Sequence, residues 1–260
     1  MGVFLKEASL KPHKSAYWLN PTCTQEELAI GSQAICEVYH EAKTNWELHG
    51  IKTVSTDEKT GIQALERQAP DLPLQQGRIR RIEYNYERHG TQCLIANWDI
   101  LEGKIIAPTV SDTRTEIDFC KHIEQLVNSD ASVKKWAIVL DQLNTHKSES
   151  LVRYVADLMP QNDIDLGVKE ESGILKNMAS RAEFLANKEH PVYFIYTPKH
   201  CSWLNQVETW FSIFYRKLLK NNSFKSKEEL KNKIINFIQY FNETMAKPFK
   251  WTFKGMPLTV

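Results

Sequence analysis

No apolar run in this chain approaches the ~20 residues that a membrane span requires, and the opening MGVFLKEASLKPHK lacks the apolar stretch of a secretory signal. Residence in the cytoplasm is therefore expected, with no membrane partner. Cysteine is sparse and unpatterned. Cys23, Cys36, Cys93, Cys120 and Cys201 are odd in number, scattered and without a C-x-x-C pair, which argues against a disulfide framework or a structural zinc site and for reduced, mostly buried thiols. Internal repeats and low-complexity tracts are missing as well. Nor is there an overall basic excess: 33 Lys and Arg stand against 32 Asp and Glu, a net charge of +1, so bulk charge does not mark a nucleic-acid binder.

What is present is ordinary globular composition, 42% apolar and 25% charged over 260 residues, enough for one large core plus an insertion. The balanced charge hides local clusters. QGRIRRIEYNYERHG sets Arg78, Arg80, Arg81 and Arg88 among Tyr84 and Tyr86, and the stretch from Arg216 to Lys233 is rich in Lys and Arg, with Glu228 and Glu229 its only acids. Basic side chains interleaved with aromatics suit a phosphate backbone with unstacked bases nearby, whereas a Lys-rich helix face is by default simply solvated.

Periodicity orders the chain. Residues 1–50 read as an arm or linker, with a short helix after Thr24 on the spacing Leu28, Ile35, Val38. IKTVSTD and GIQALERQ read as two strands around the turn EKTG. A Pro-rich crossing follows, then two strand-like runs joined at LEGK within TQCLIANWDILEGKIIAPTV. From Ser111 the pattern changes: a helix around Ile117, Ile123 and Leu126, a buried strand KKWAIVLD, a helix KSESLVRYVADLMP, a strand PVYFIYTP, and helices NQVETWFSIFYRKLLK and SKEELKNKIINFIQYFNETM. Three antiparallel strands followed by parallel strands alternating with flanking helices form a mixed sheet, the order of an α/β ribonuclease-H-like fold, here over residues 51–260. Residues 161–190 interrupt that order as a folded insertion, with Leu175, Met178 and Phe184 available for burial.

Three carboxylates sit where such a fold gathers ligands. Asp57 ends IKTVSTD, Asp141 ends WAIVLD, and Glu208 opens a helix beside the apolar Val207. Strand tips at one sheet rim hold hard divalent cations through oxygen, and two such ions are how phosphodiester chemistry is assembled. Either Asp alone is explained by turn or helix capping, and Glu208 alone by an exposed site near the positive N-terminus of its helix. A glycosidase built on Asp57 and Glu208 leaves Asp141 and the basic clusters without a role. Near Asp141 stand Asn144 and His146, placed to orient a ligand or touch phosphate, with loop packing the other reading of His146, and before Glu208 stand Lys199, His200, Ser202, Trp203 and Asn205. Asn205 is placed to cap the helix and Trp203 to pack.

In order, DEKTGIQALER, YERHGTQCLIANWDILEGKI, VLDQLNTHKS and YTPKHCSWLNQVETWF resemble the DDE transposases of bacterial insertion sequences, specifically the insertion sequence six-thirty group of the Tc/mariner superfamily. The resemblance implies that Asp57, Asp141 and Glu208 are the catalytic and metal-binding triad for Mg²⁺ or Mn²⁺, two ions. It further implies cleavage of transposon-end DNA, attack of the freed 3′-hydroxyl on target DNA at a TA dinucleotide, and action as a homodimer on DNA in the nucleoid. Arg78, Arg80, Arg81, Arg88, Asn144, His146, Lys199 and His200 are then expected to contact DNA. Two departures stand out. Asp141 and Glu208 are 67 positions apart, wider than the family pattern by the 161–190 insertion, and the 56 residues before Asp57 carry no paired helix-turn-helix signal. A separate N-terminal end-reading half is expected on that account. The different-class alternative is a non-catalytic DNA-binding or assembly module.

Overall fold

The computed structural model describes residues 24–159 and 164–253; the first 23 residues, with Cys23, and the beginning of the insertion lie outside them. Helix α1 (Gln25–His49) is longer than the short helical segment expected. Thr24 and Glu27 close its N-terminus reciprocally, and Gly50, at φ 67°, ends it, since the left-handed turn that stops a helix costs a Cβ-free residue least. Its Ile35, Tyr39 and Ala42 are buried in the main core, and the Tyr39 hydroxyl donates to the Leu204 carbonyl at 2.9 Å.

Five strands form one sheet in the order β3-β2-β1-β4-β5: β1 (Ile51–Arg67), β2 (Tyr86–Asp99), β3 (Ile105–Ser111), β4 (Lys135–Leu140) and β5 (Val192–Tyr196). β1, β2 and β3 pair antiparallel, while β1, β4 and β5 run parallel, as the alternation of helices and strands implies. One expectation fails. IKTVSTD and GIQALERQ are not two strands but one of 17 residues. Gly61, at φ 63°, makes a bulge with a register shift between Lys59 and Ile62 instead of a reversal, because β2 is long enough to keep pairing past it. The chain turns back only beyond Arg67, in an exposed tongue with isolated bridges Leu72 to Arg81 and Gln75 to Arg78.

Helices cover both faces. On one lie α1, α5 (Gln206–Phe214) and α6 (Lys227–Thr244), packing Trp210, Phe211, Phe214, Ile234 and Phe241 on Leu94, Ala96 and Trp98. On the other, α2 (Glu116–Val127), α3 (Glu149–Asp157) and α4 (Met178–Leu185) bury Phe119, Ile123, Val152 and Leu185 against Val54, Ile95 and Ile138. Strand β4 is covered on both sides, which is why WAIVL is an unbroken apolar run; each fully buried side chain of that size contributes about 1.5–3 kcal/mol. The described part of the insertion is folded: Leu175 and Leu185 are fully buried, while Met178 and Phe184 are half-buried. No described helix is long and apolar enough to cross a membrane; Cys36, Cys93 and Cys120 are free thiols, and Cys36, Cys93 and Cys201 are buried.

Candidate active site

Asp57 lies within β1, not at its end as the sequence suggested. It is nonetheless at a rim, because the last residue of β1 paired to β4 is Ser55, so the parallel half of the sheet stops just short of it. Asp141 directly follows β4, and Glu208 is the third residue of α5. Facing is set by the two-residue period of the strand. Asp57 is opposite Ala96, on the α5 face, whereas Glu58 is opposite Ile95, on the α2 face.

The N-terminus of α5 is stitched to β1. Asn205 occupies the cap position, but its side chain makes no capping bond. It accepts from the Ser55 hydroxyl and donates to the Thr56 carbonyl at 2.8 Å and to Asp57 Oδ2 at 3.4 Å. Ser55 Oγ accepts instead from the Val207 N–H at 2.9 Å, so the first helical turn is capped by a strand residue, which sets Glu208 on the Asp57 side of the rim. Under Asp57, Thr56 donates to Asn97 Oδ1 at 2.7 Å, and His122 bridges that oxygen (3.0 Å) and the Thr109 hydroxyl (2.7 Å). Burial holds His122 neutral, its pKa pushed down to about 3.

The three carboxylates share one electrostatic field. Burial pushes Asp57 up to about 7; the Glu58 N–H, which donates to it at 2.8 Å, pulls back, and Asp141 and Glu208 raise it further. Glu208 is raised by burial and by Asp141, against the pull of Lys59. Burial also opposes ionisation of Asp141, yet His146, the Leu143 N–H and Lys147 hold its pKa below the ordinary carboxylate value. Among the described residues no cation lies within ion-pair distance of Asp57 or Glu208. An all-oxygen donor set, buried at Asp57 and half-buried at Asp141 and Glu208, in which only Asp141 has a cationic partner, fits a hard divalent cation. The carboxylates are not a closed ligand set: among the described residues, donor atoms all come within 4.8 Å of one another in one triplet, Glu66, Glu87 and His89 on the outer β1–β2 ribbon. There His89 already pairs with Glu66 at 2.8 Å.

His146 was expected at the DNA surface and is instead fully buried, its ring 4.3 Å from that of Phe119. Its Nδ1 meets Asp141 Oδ1 at 2.8 Å and its Nε2 faces Glu58 Oε1 at 3.6 Å. Burial disfavours the imidazolium, but the two acids prevail and raise its pKa to about 9. Direct contact with a phosphate is thereby excluded in this fold. Asn144, Lys199 and His200 are exposed. Lys147 lies near enough to Lys199 and Asp141 to feel both charges, and it sits 4.7 Å over the Tyr196 ring. Arg78, Arg80 and Arg81 stand exposed on the tongue, which starts ten residues beyond Asp57, on the order of 30 Å along an extended strand. Arg80 pairs with Asp71 at 2.5 Å, and Arg88 lies against Tyr86, its Nη2 donating to the hydroxyl at 3.2 Å. Trp203 is half-exposed, edge-on to Phe253 at 4.9 Å.

Sequence reasoning missed Ser55, Glu58, Lys59 and Lys147. Ser55 had one signal, its place two residues before Asp57 on the same strand face. The role of Glu58 had none, since its partner lies on another element.

A family model described as DDE superfamily endonuclease matches residues 52–231. No curated protein matches the chain in sequence. Among solved structures, the chain is similar to that of the Mos1 Strand Transfer Complex (12% identity, TM-score 0.53, 92% of this chain and 61% of that one). It is similar to the Mos1 transposase paired-end complex with left transposon end (14%, 0.54, 92% and 62%). The catalytic domain of Mos1 mariner transposase also matches (11%, 0.50, 85% of each chain). The chain thus spans about three-fifths of the first two, and at these identities the likeness is one of fold, the ribonuclease-H-like architecture. With most of its length matched by the family model and its sheet laid out as in a mariner catalytic domain, the chain belongs to the DDE endonuclease superfamily.

Proposed function

We propose that the chain is the catalytic domain of a DNA transposase, cutting at transposon ends and joining the freed 3′-hydroxyl to target DNA. The observation that carries this reading is the rim where Asp57, buried and uncompensated, lies in the field of Asp141 and Glu208. These three residues would hold Mg²⁺ or Mn²⁺, two ions in our reading. Such ions supply activation of the attacking oxygen and neutralisation of charge at phosphorus.

The protein's own groups prepare the site. His146 fixes the orientation of Asp141 from behind, and Glu58 on the opposite strand face holds the far side of that imidazole, the arrangement by which outer-shell partners aim a ligand. Asn205 steadies Asp57 and ties it to the helix that carries Glu208. Lys199, His200 and Asn144, exposed around the Asp141 end of the rim, bind phosphates there, and Lys147 adds positive charge beside them. The tongue arginines 78, 80 and 81, with Arg88 at its base, contact DNA farther from the chemistry. The partners are transposon ends and a TA-containing target, a second copy of the chain on DNA, and a separate helix-turn-helix half. The setting is the bacterial cytoplasm and nucleoid. Residues 1–50 lead into a catalytic unit over 51–260 that carries the 161–190 insertion.

The test is strand cleavage of duplex DNA carrying the element's inverted repeats, with Mn²⁺ or Mg²⁺. Wild-type protein nicks it and Asp141→Asn does not. Salt-dependent DNA binding with no metal-stimulated cleavage would favour the non-catalytic module instead, and cleavage by the variant at the wild-type rate would refute the site.

A further inference from the structure

A cleft leaves the rim along the outer half of β1. It consists of two adjoining hollows that share Lys59 and Tyr215. The first lies beside Glu208 and is bounded by Phe211, Ser212 and Arg216; the second, about 410 Å³, runs out to Arg67 and Lys220. Both walls are locally irregular. On one, the Gly61 bulge breaks the β1 register, and open space lies where its side chain would stand. On the other, α5 ends in a π-turn, Tyr215–Leu219. Bulges of either kind re-aim side chains and are enriched at functional sites.

The lining has a consistent chemistry. Lys59, Arg67, Arg216 and Lys220 are its cations, and Glu208 is the one carboxylate among the residues that line it. Among the described residues none of those four cations forms an ion pair, although ten other Lys and Arg residues do. Arg67 Nη1 donates to the Glu83 carbonyl at 2.8 Å and Arg216 Nε to the Ser212 carbonyl at 3.1 Å, neutral partners that leave both positive charges uncompensated. Tyr215 is 51% exposed over a floor that includes Leu65, Leu219 and Phe224. Unpaired cations in a row attract a polyanion. A half-exposed aromatic ring above an apolar floor offers a face to an unstacked base, which a duplex would leave unused because its bases are already stacked.

We infer that this cleft is the track for an unpaired DNA strand, which runs from the rim past Lys59, stacks a base on Tyr215 and continues towards Arg67. The inference rests on the proposed function for its choice of DNA, but it concerns a surface that the cleavage step does not need in order to be measured. Strand binding is followed by fluorescence anisotropy of a labelled twelve-nucleotide oligothymidine with the full chain in EDTA, so that metal plays no part. Tyr215→Ala is expected to weaken binding about ten-fold while Tyr215→Phe retains it, in line with base–aromatic stacking. The combined Lys59→Gln, Arg216→Gln, Lys220→Gln variant is expected to flatten the slope of log K against log salt by about 2, at roughly 0.7 per phosphate contact on a single strand.

Equal affinity of wild type, Tyr215→Ala and Tyr215→Phe overturns the track. So does a twelve-pair duplex that binds more tightly than the strand and loses as much with Tyr215→Ala, and so does an oligoglutamate peptide that displaces the strand at equal charge. The two readings fail separately. Tyr215-dependent strand binding by a protein that never cleaves leaves the track standing and removes the transposase reading. Metal-dependent cleavage with Tyr215-independent strand binding does the reverse.

Discussion

The two halves of β1 have the same backbone and opposite environments. From Ile51 to Ser55 the strand is paired to β4 on one side, with β2 joining on the other from Val54, and from Thr53 to Asp57 its side chains are buried. From Lys59 outward it is paired to β2 alone and bulged at Gly61, with Ile62 and Ala64 buried on one face and Thr60, Gly61 and Gln63 exposed. The inner half can hold a carboxylate in a high-energy state because packing on both faces fixes it. The outer half has no β4 beside it, buries Ile62 and Ala64 alone, and presents charge to a partner instead. Rigid placement and adaptable contact are thus divided along one strand, at the point where β4 ends.

The sharpest way to probe that division is Asp57→Asn. Cleavage should fall to background. The same change should raise the unfolding free energy in EDTA at pH 8 by about 1–2 kcal/mol, because a buried charge held among like charges is removed. Thermal melting then moves up by roughly 2–6 °C. Mn²⁺ should raise the melting temperature of wild type and not of the variant. A variant less stable than wild type would mean that Asp57 is not strained.

Core truncation separates the halves by stability alone. Ile138→Ala, fully buried on β4 opposite Val54, should cost about 3–4 kcal/mol in urea unfolding. Leu74→Ser, on the tongue and 75% exposed, should stay within about 0.5 kcal/mol. Comparable losses would erase the distinction between the two regions.

The α2 face of the inner half carries a pH signature. His122 is neutral in the folded chain down to about pH 3, whereas an unfolded histidine takes up a proton near 6.5. The unfolded state therefore binds more protons between those values. This contribution to stability is complete above about pH 6.5 and declines as the pH falls towards 3, by up to about 1.4 kcal/mol per unit. His122→Gln should flatten that decline in unfolding measured from pH 7 to 5, and an unchanged slope would place the loss elsewhere. At the bulge, Gly61→Ala meets no neighbour but must hold φ 63°, and is expected to cost about 1–2 kcal/mol in urea unfolding.

Much of this was legible in the residues. The unbroken run WAIVL announces a doubly covered strand and places Asp141 at its tip, and the stripe Val207, Trp210, Phe211 and Phe214 announces a helix with Glu208 in its first turn. The change from strand-rich to alternating pattern near Ser111 gives the antiparallel and parallel parts of the sheet. The reversal expected at EKTG was wrong because a glycine permits a bulge as readily as a turn, and only the length of β2 decides between them. The capping role assigned to Asn205 was wrong because Ser55, 150 positions earlier, competes for that helix end. His146, expected to face DNA, became an internal brace once α2 supplied Phe119 beneath it.

The sequence by itself determined which segments become strand or helix and which acids stand near their ends, because periodicity and chain stiffness act over a few residues. Tertiary structure alone decided which face of β1 each acid takes, what braces Asp141, and where cations are left unpaired. Those outcomes depend on contacts between segments far apart in the chain, whose closeness exists only after the sheet has closed and its helices have packed.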